Sequence, residues 1–213
     1  MNNDTDLIAG LVAALQPVTP LGRRRGMILP VLALGAGVAG IITLFGLRPD
    51  LRTGQPDAMV LIGAGLFLVL ALASAWAAVD AARPYVGVRR DGWGWTALMA
   101  AVLPAAALGL MASNWLRGAP TGLGMTGVNC MIGGLGWGLL TASALVLWLR
   151  RGAPSRPDRA GMLTGAAAGA AGIFAVSLYC GHNDLLHIGV WHGLTVVLAG
   201  VLGRLAIPRL IAW

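Results

Sequence analysis

Six stretches of about 20 apolar residues, each long enough to cross the hydrocarbon of a bilayer, dominate this sequence. They cover roughly 26–47, 58–79, 93–112, 127–149, 160–180 and 188–207. A water-soluble domain of 213 residues has no interior large enough to hide them, because 57% of the chain is hydrophobic and only 11% is charged. Lipid must solvate much of that surface. The predicted fold class is therefore all-α: a polytopic membrane protein built as a six-transmembrane-helix bundle. Pro30 and Pro104 fall within or near the start of such segments, where membrane helices tolerate them better than soluble ones do. Trp93, Trp95, Trp115, Trp148, Trp191 and Trp213 lie near predicted segment ends, the depth that amphipathic rings favour.

The charges orient the bundle. All 15 cations are arginine and all eight acids are aspartate, for a net charge of +7. With the N-terminus placed inside, Arg23, Arg24, Arg25, Arg83, Arg89, Arg90, Arg150, Arg151, Arg156, Arg159, Arg204 and Arg209 fall on the inner side. Only Arg48, Arg52 and Arg117 fall outside. That bias puts both termini in the cytoplasm and accounts for the basic balance without nucleic acid. Arg23-Arg24-Arg25 before an apolar run resembles a twin-arginine export signal, but no small-residue cleavage site follows and five more spans do. It reads as the positive flank of a retained first helix.

Small residues predict close helix contacts. Gly161, Gly165 and Gly169 recur every fourth residue in the fifth segment, with Gly172 nearly on the same face; Gly127, Gly134 and Gly138 mark the fourth. Such stripes let backbones approach in lipid, where no hydrophobic effect drives helices together. The expected partners are segments four and five, although the stripes would also suit a homodimer.

This hairpin sets the depth of the two cysteines. Cys130 lies about 19 residues before Leu149 and Cys180 about 20 after Ala160. At 1.5 Å per residue both stand about 30 Å from the inner face, at the outer surface. In a bacterium that is the oxidising periplasm, where disulfides persist, given Cα atoms within about 7 Å. All three histidines follow within 13 residues of Cys180: His182, His187 and His192. Thiolate and imidazole are preferred ligands of zinc and other soft or borderline metals. Cys130, Cys180, His182 and His187 form the candidate ligand set for zinc or another heavy-metal ion, with His192 as an alternative. His187 and His192 are five apart, so a regular helix would point them in different directions. Asp184 is a candidate to orient an imidazole. Against this stands the ordinary reading of an interfacial His as a satisfied polar residue and of a lone Cys as a small hydrophobe. The residues fit redox sensing and metal sensing alike.

Catalytic signatures are missing: no G-x-S-x-G elbow, no phosphate-binding loop, no H-E-x-x-H helix. Buried acids, the usual mark of an ion pathway, are absent from segment centres. Asp80 and Asp91 sit at inner ends as solvated flanks, and Asn129 is the only strongly polar residue near a span. The chain reads as a non-enzyme. The alternative is a membrane thiol-disulfide oxidoreductase coupled to quinone; against it, such enzymes need a C-x-x-C or two communicating pairs. A metal-flux component would need ligands deeper in the bilayer.

Residues 1–22 form a separate N-terminal segment ahead of the transmembrane unit, 23–213. Asp4 or Asp6 is placed to cap a short helix, with Leu7, Ile8, Leu11 and Leu15 on one side before Pro17 ends it. Such a stripe fits a groove on a soluble partner or rests on the inner leaflet.

These features together resemble the NrsF-like (negative regulator of sigma F) membrane anti-sigma factors of bacteria. The resemblance rests on an N-terminal segment opening with Asp6-Leu7-Ile8, six spans, and Gly46-Leu47-Arg48-Pro49-Asp50-Leu51 after the first. A Cys at the start of span four, and a Cys followed by a His-bearing loop and Trp191-His192, complete it. One local departure is Gly181, where relatives often carry Pro. The resemblance implies an inner-membrane protein that holds an extracytoplasmic-function sigma factor away from RNA polymerase. It further implies that Cys130 and Cys180 sense oxidative or heavy-metal stress, and that the region from Asp6 to Leu15 docks the sigma factor.

Overall fold

A computed structural model describes residues 2–15, 21–83, 92–119 and 124–211. Its order is α1 (Asn2–Ala13), α2 (Arg23–Phe45), the short α3 (Pro49–Arg52), α4 (Ala58–Ala81), α5 (Gly92–Leu116), α6 (Gly127–Leu149) and α7 (Pro157–Ser177). A π-helical turn (His187–His192) then runs directly into α8 (Gly193–Ile211). No strand occurs among the described residues. The helices α2, α4, α5, α6 and α7, and the π-turn together with α8, are each long and apolar enough to span a membrane. The six-span all-α architecture is therefore the one the apolar runs dictate. Pro17, Arg89, Arg90, Asp91 and Trp213 lie outside the described residues, as does the Trp93 side chain.

Local chemistry fixes the helix ends. Asp57 caps α4 by accepting from the Met59 amide at 2.8 Å, satisfying one orphan donor of the first turn. Pro157 opens α7 with Asp158 in its first turn, where a fixed φ and a negative charge both suit an N-terminus. Two expected boundaries move. α1 begins at Asn2, so Asp4 and Asp6 lie within its first turns and not at its cap. α7 ends at Ser177 and does not reach Cys180. The Tyr179 and Cys180 amides both bond the Val176 carbonyl, tightening the last turn and releasing the chain before the cysteine.

α7 is the axis of the bundle. Every position from Leu163 to Ile173 is buried, and α6, α8 and α4 pack around it. The glycine stripe works differently from its expected role. Gly161, Gly165 and Gly169 face α8, where an added Cβ would collide with Gly203 in the first case and with Ala199 in the other two. Only Gly172 serves the α6–α7 contact, against the Gly134 carbonyl, with Gly138 meeting the Ala168 carbonyl from the other side. Successive small residues on α7 thus admit two neighbours, because a Gly- and Ala-rich helix has no bulky face to choose one.

The bundle has two unlike ends. At one, Arg23 pairs with Asp80, tying the start of α2 to the end of α4, and Arg150 Nε donates to the Leu210 carbonyl at 2.8 Å. Asp80 is therefore an ion-pair partner and more than a solvated flank. Trp148 also departs from its interfacial assignment: it is buried, and its Nε1 donates to the Val79 carbonyl at 3.3 Å. Trp191 turns inward against Gly127, its Nε1 buried, whereas Trp95 and Trp115 are exposed. At the opposite end the last turn of α2, the start of α6, the exit of α7 and the π-turn converge.

Candidate cysteine–histidine site

Four elements build this site. Cys130 projects from the first turn of α6, and Cys180 lies just past α7. Both are buried, and their Sγ atoms stand 3.6 Å apart as free thiols. The two cysteines, at one depth on the α6–α7 hairpin, are thus in direct contact. His187 Nε2 is 3.6 Å from Cys180 Sγ.

His192 completes the cluster through a local departure from α-helix. Residues five apart diverge on a regular helix, but the π-turn bonds residue i to i+5 and stacks them. The rings of His187 and His192 consequently meet edge to face at 5.2 Å between centroids. The ligand atoms of Cys130, Cys180, His187 and His192 all lie within 4.8 Å of one another, and all four residues are buried. His192 is only 2% exposed, and both its ring nitrogens lack a hydrogen-bond partner among the described residues. An imidazole in that state carries the full cost of an unmet polar group.

His182 sits outside this inner group, where the sequence set had placed it within. It is exposed, its ring stacks on His187 at 4.3 Å, and its Nε2 lies 3.3 Å from Thr126 Oγ1. Asp184 orients backbone and not imidazole: its Oδ1 accepts from the His187 amide at 2.7 Å, capping the π-turn. His182, Asp184 and His187 form a second, outer group of potential ligand atoms. Asn129 is exposed.

Arg48 is the residue that sequence reasoning missed as part of this site. Counted there only as a flanking charge, it is 5% exposed and clamps the loop bearing Cys180. Its NH1 donates to the Cys180 carbonyl at 2.7 Å, its NH2 to Asn183 Oδ1 and its Nε to Asp50 Oδ1 at 2.5 Å. The Arg48 amide also bonds the Leu178 carbonyl at 3.0 Å. The planar guanidinium suits three acceptors at once. Partial desolvation pulls the Asp50 carboxyl upward, but Arg48 and the Asp57 and Leu51 amides outweigh it and hold the carboxyl below its usual range. The signal was present: Arg48 and Asp50 both stand in the Gly46–Leu51 motif.

At the far end of the sequence, Asp6, Leu7, Ile8 and Leu11 lie on α1 and Leu15 just beyond it; all five are exposed. Val12 is exposed beside them, at 60%, so the apolar surface of this helix is broader than the predicted stripe.

A family described as negative regulator of sigma F matches residues 11–213. The anti-sigma-F factor NrsF of Caulobacter vibrioides (strain NA1000 / CB15N) is 28% identical over 225 residues, covering 98% of each chain. No solved structure matches. With the match running from within α1 to the end of α8, the chain belongs to the negative regulator of sigma F family.

Proposed function

We propose that this protein is an inner-membrane anti-sigma factor that sequesters an extracytoplasmic-function sigma factor through residues 1–22. It releases that factor when the Cys130–Cys180 pair, facing the periplasm, meets oxidative or heavy-metal stress. The observation that carries the docking half is the apolar surface of α1 and the residues after it, left uncovered at Leu7, Ile8, Leu11 and Leu15. An exposed apolar stripe on a short helix suits a hydrophobic groove on a soluble partner. The family supplies the class of partner, a sigma factor.

The sensing half draws on the 3.6 Å thiol contact. Oxidation would close it to the roughly 2.05 Å of a disulfide, with two electrons and two protons leaving to an envelope oxidant. A heavy-metal ion would bind the same sulfurs as thiolates. Either event pulls on Cys180, whose carbonyl Arg48 holds, and so on the end of α2. That helix begins just after the docking segment. A bundle with two packings need shift by only a few kcal/mol for a decisive change of population.

The test is affinity capture from mild-detergent membranes with the full-length chain and with a version lacking residues 1–22. A sigma factor recovered with the full-length chain alone is the expected result. Recovery with both versions moves docking off the N-terminal segment; recovery with neither removes the anti-sigma reading. Equal sigma affinity with the cysteines oxidised, reduced and metal-loaded removes the sensing half.

A further inference from the structure

We infer that Cys130, Cys180, His187 and His192 form a four-ligand centre that holds one zinc-type ion in the resting protein. The inference deepens the sensing reading above by naming what the site contains, and it rests on that reading only for its regulatory meaning; ion binding needs no sigma factor.

Three observations converge on it. The first is edge length. Zinc bonds sulfur at about 2.3 Å and imidazole nitrogen at about 2.0–2.1 Å in tetrahedral geometry. The edges of such a tetrahedron are therefore about 3.8 Å between sulfurs and about 3.6 Å between sulfur and nitrogen. Cys130 Sγ and Cys180 Sγ are 3.6 Å apart, and Cys180 Sγ and His187 Nε2 are also 3.6 Å apart. The sulfurs are spaced as two ligands of one ion.

The second is His192. A 2%-exposed imidazole with neither nitrogen bonded is costly unless something accepts a lone pair. Its ligand atom lies within 4.8 Å of the other three, so an ion at their centre is that acceptor. The π-turn points the same way. It replaces regular α-helix for six residues whose two ends are His187 and His192, and its effect is to put both rings on one side.

The third is charge. Two thiolates and two neutral imidazoles cancel the charge of a divalent ion, leaving a neutral centre where all four side chains are buried. An isolated ion or thiolate there would be expensive. Two sulfurs and two imidazoles form a structural zinc set, closed to further ligands. The same donors accept softer heavy metals, which provides a direct route for displacement.

The outer group is the natural competitor, since it shares His187 but replaces three buried ligands by exposed His182 and Asp184. The test separates the two. The full-length chain, purified in detergent and reduced, is titrated with Zn²⁺ and with Co²⁺ as a spectroscopic probe. One ion per chain is expected, with the thiolate-to-cobalt charge-transfer band and the intense visible bands of tetrahedral Co²⁺. H192A should weaken binding at least about tenfold, since even outer partners of metal ligands are worth about 10–100-fold; H182A should bind as the parent does. No bound ion, or a cobalt spectrum without sulfur, overturns the site and requires no variant to fold. H182A weakening binding while H192A does not assigns the ion to the outer group and equally overturns it. Loss of metal binding with sigma capture intact leaves the anti-sigma reading standing; metal bound with no sigma captured does the reverse.

Discussion

A single arginine carries much of the order at the cysteine end. Arg48 meets three acceptors on two segments distant in sequence, and only a planar fork reaches them together. R48K keeps the charge and loses the fork. We expect it to lower the thermal unfolding midpoint in detergent, with a cost of about 1–3 kcal/mol for each buried acceptor left unmet; an unchanged midpoint would return Arg48 to the status of a flanking charge. Asp50 adds a pH dependence whose sign follows from its depressed folded-state pKa. Its contribution is present above the unfolded value of 3.8 and is lost as pH falls through the lower folded value. D50N should therefore melt below the parent at neutral pH, with the gap closing under acid. At this scale the sequence displayed ligand types but not their company. Counting residues places Cys130 and Cys180 at one depth, whereas a five-residue interval read on α-helical geometry leaves His192 only an alternative to His187 and not its companion.

Helices reveal where pattern is legible and where it is ambiguous. The six spans follow from apolar length alone, because a bilayer offers the backbone few alternatives to helix. Which helices touch is harder to read, since a glycine stripe states that something comes close without saying what. Gly138 and Gly161 illustrate this: an added Cβ would lie 2.5 Å from the Ala168 carbonyl on α7 in the first case and from the Gly203 carbonyl on α8 in the second. G138A should part α6 from α7 and G161A part α7 from α8, each at about 1–3 kcal/mol of overpacking strain. G35A, with nothing within 4 Å of its new methyl, should leave stability unchanged or slightly raised. Detergent melting curves of the three variants check the assignment. The π-turn had no sequence signature beyond its two histidines, and tertiary contacts such as Gly189 against the Leu103 carbonyl hold it in place.

For the whole molecule, the unlike ends predict a direction in the membrane. The end carrying Arg23, Arg150, Arg204 and Arg209 should face the cytoplasm and the cysteine end the periplasm. Alkaline phosphatase, active only when exported, should work when fused after Gly118 and stay silent at the C-terminus; the opposite pattern would put the cysteine site in the reducing compartment and end the sensing proposal. The arginine counts give only the expected direction, and the joining of the two ends through α2 is not readable in them, because nothing in an apolar run announces which loop its last residue will clasp. The buried axis has one more consequence, for biogenesis. α7 is the least apolar of the six spans yet the most completely enclosed, so its neighbours and not lipid are its solvent. A helix of that kind partitions poorly by itself. It should enter the bilayer only in the company of α6 and α8, and a nascent chain halted before α8 should leave it outside, making the arrival of α8 the step that commits the bundle to its final shape.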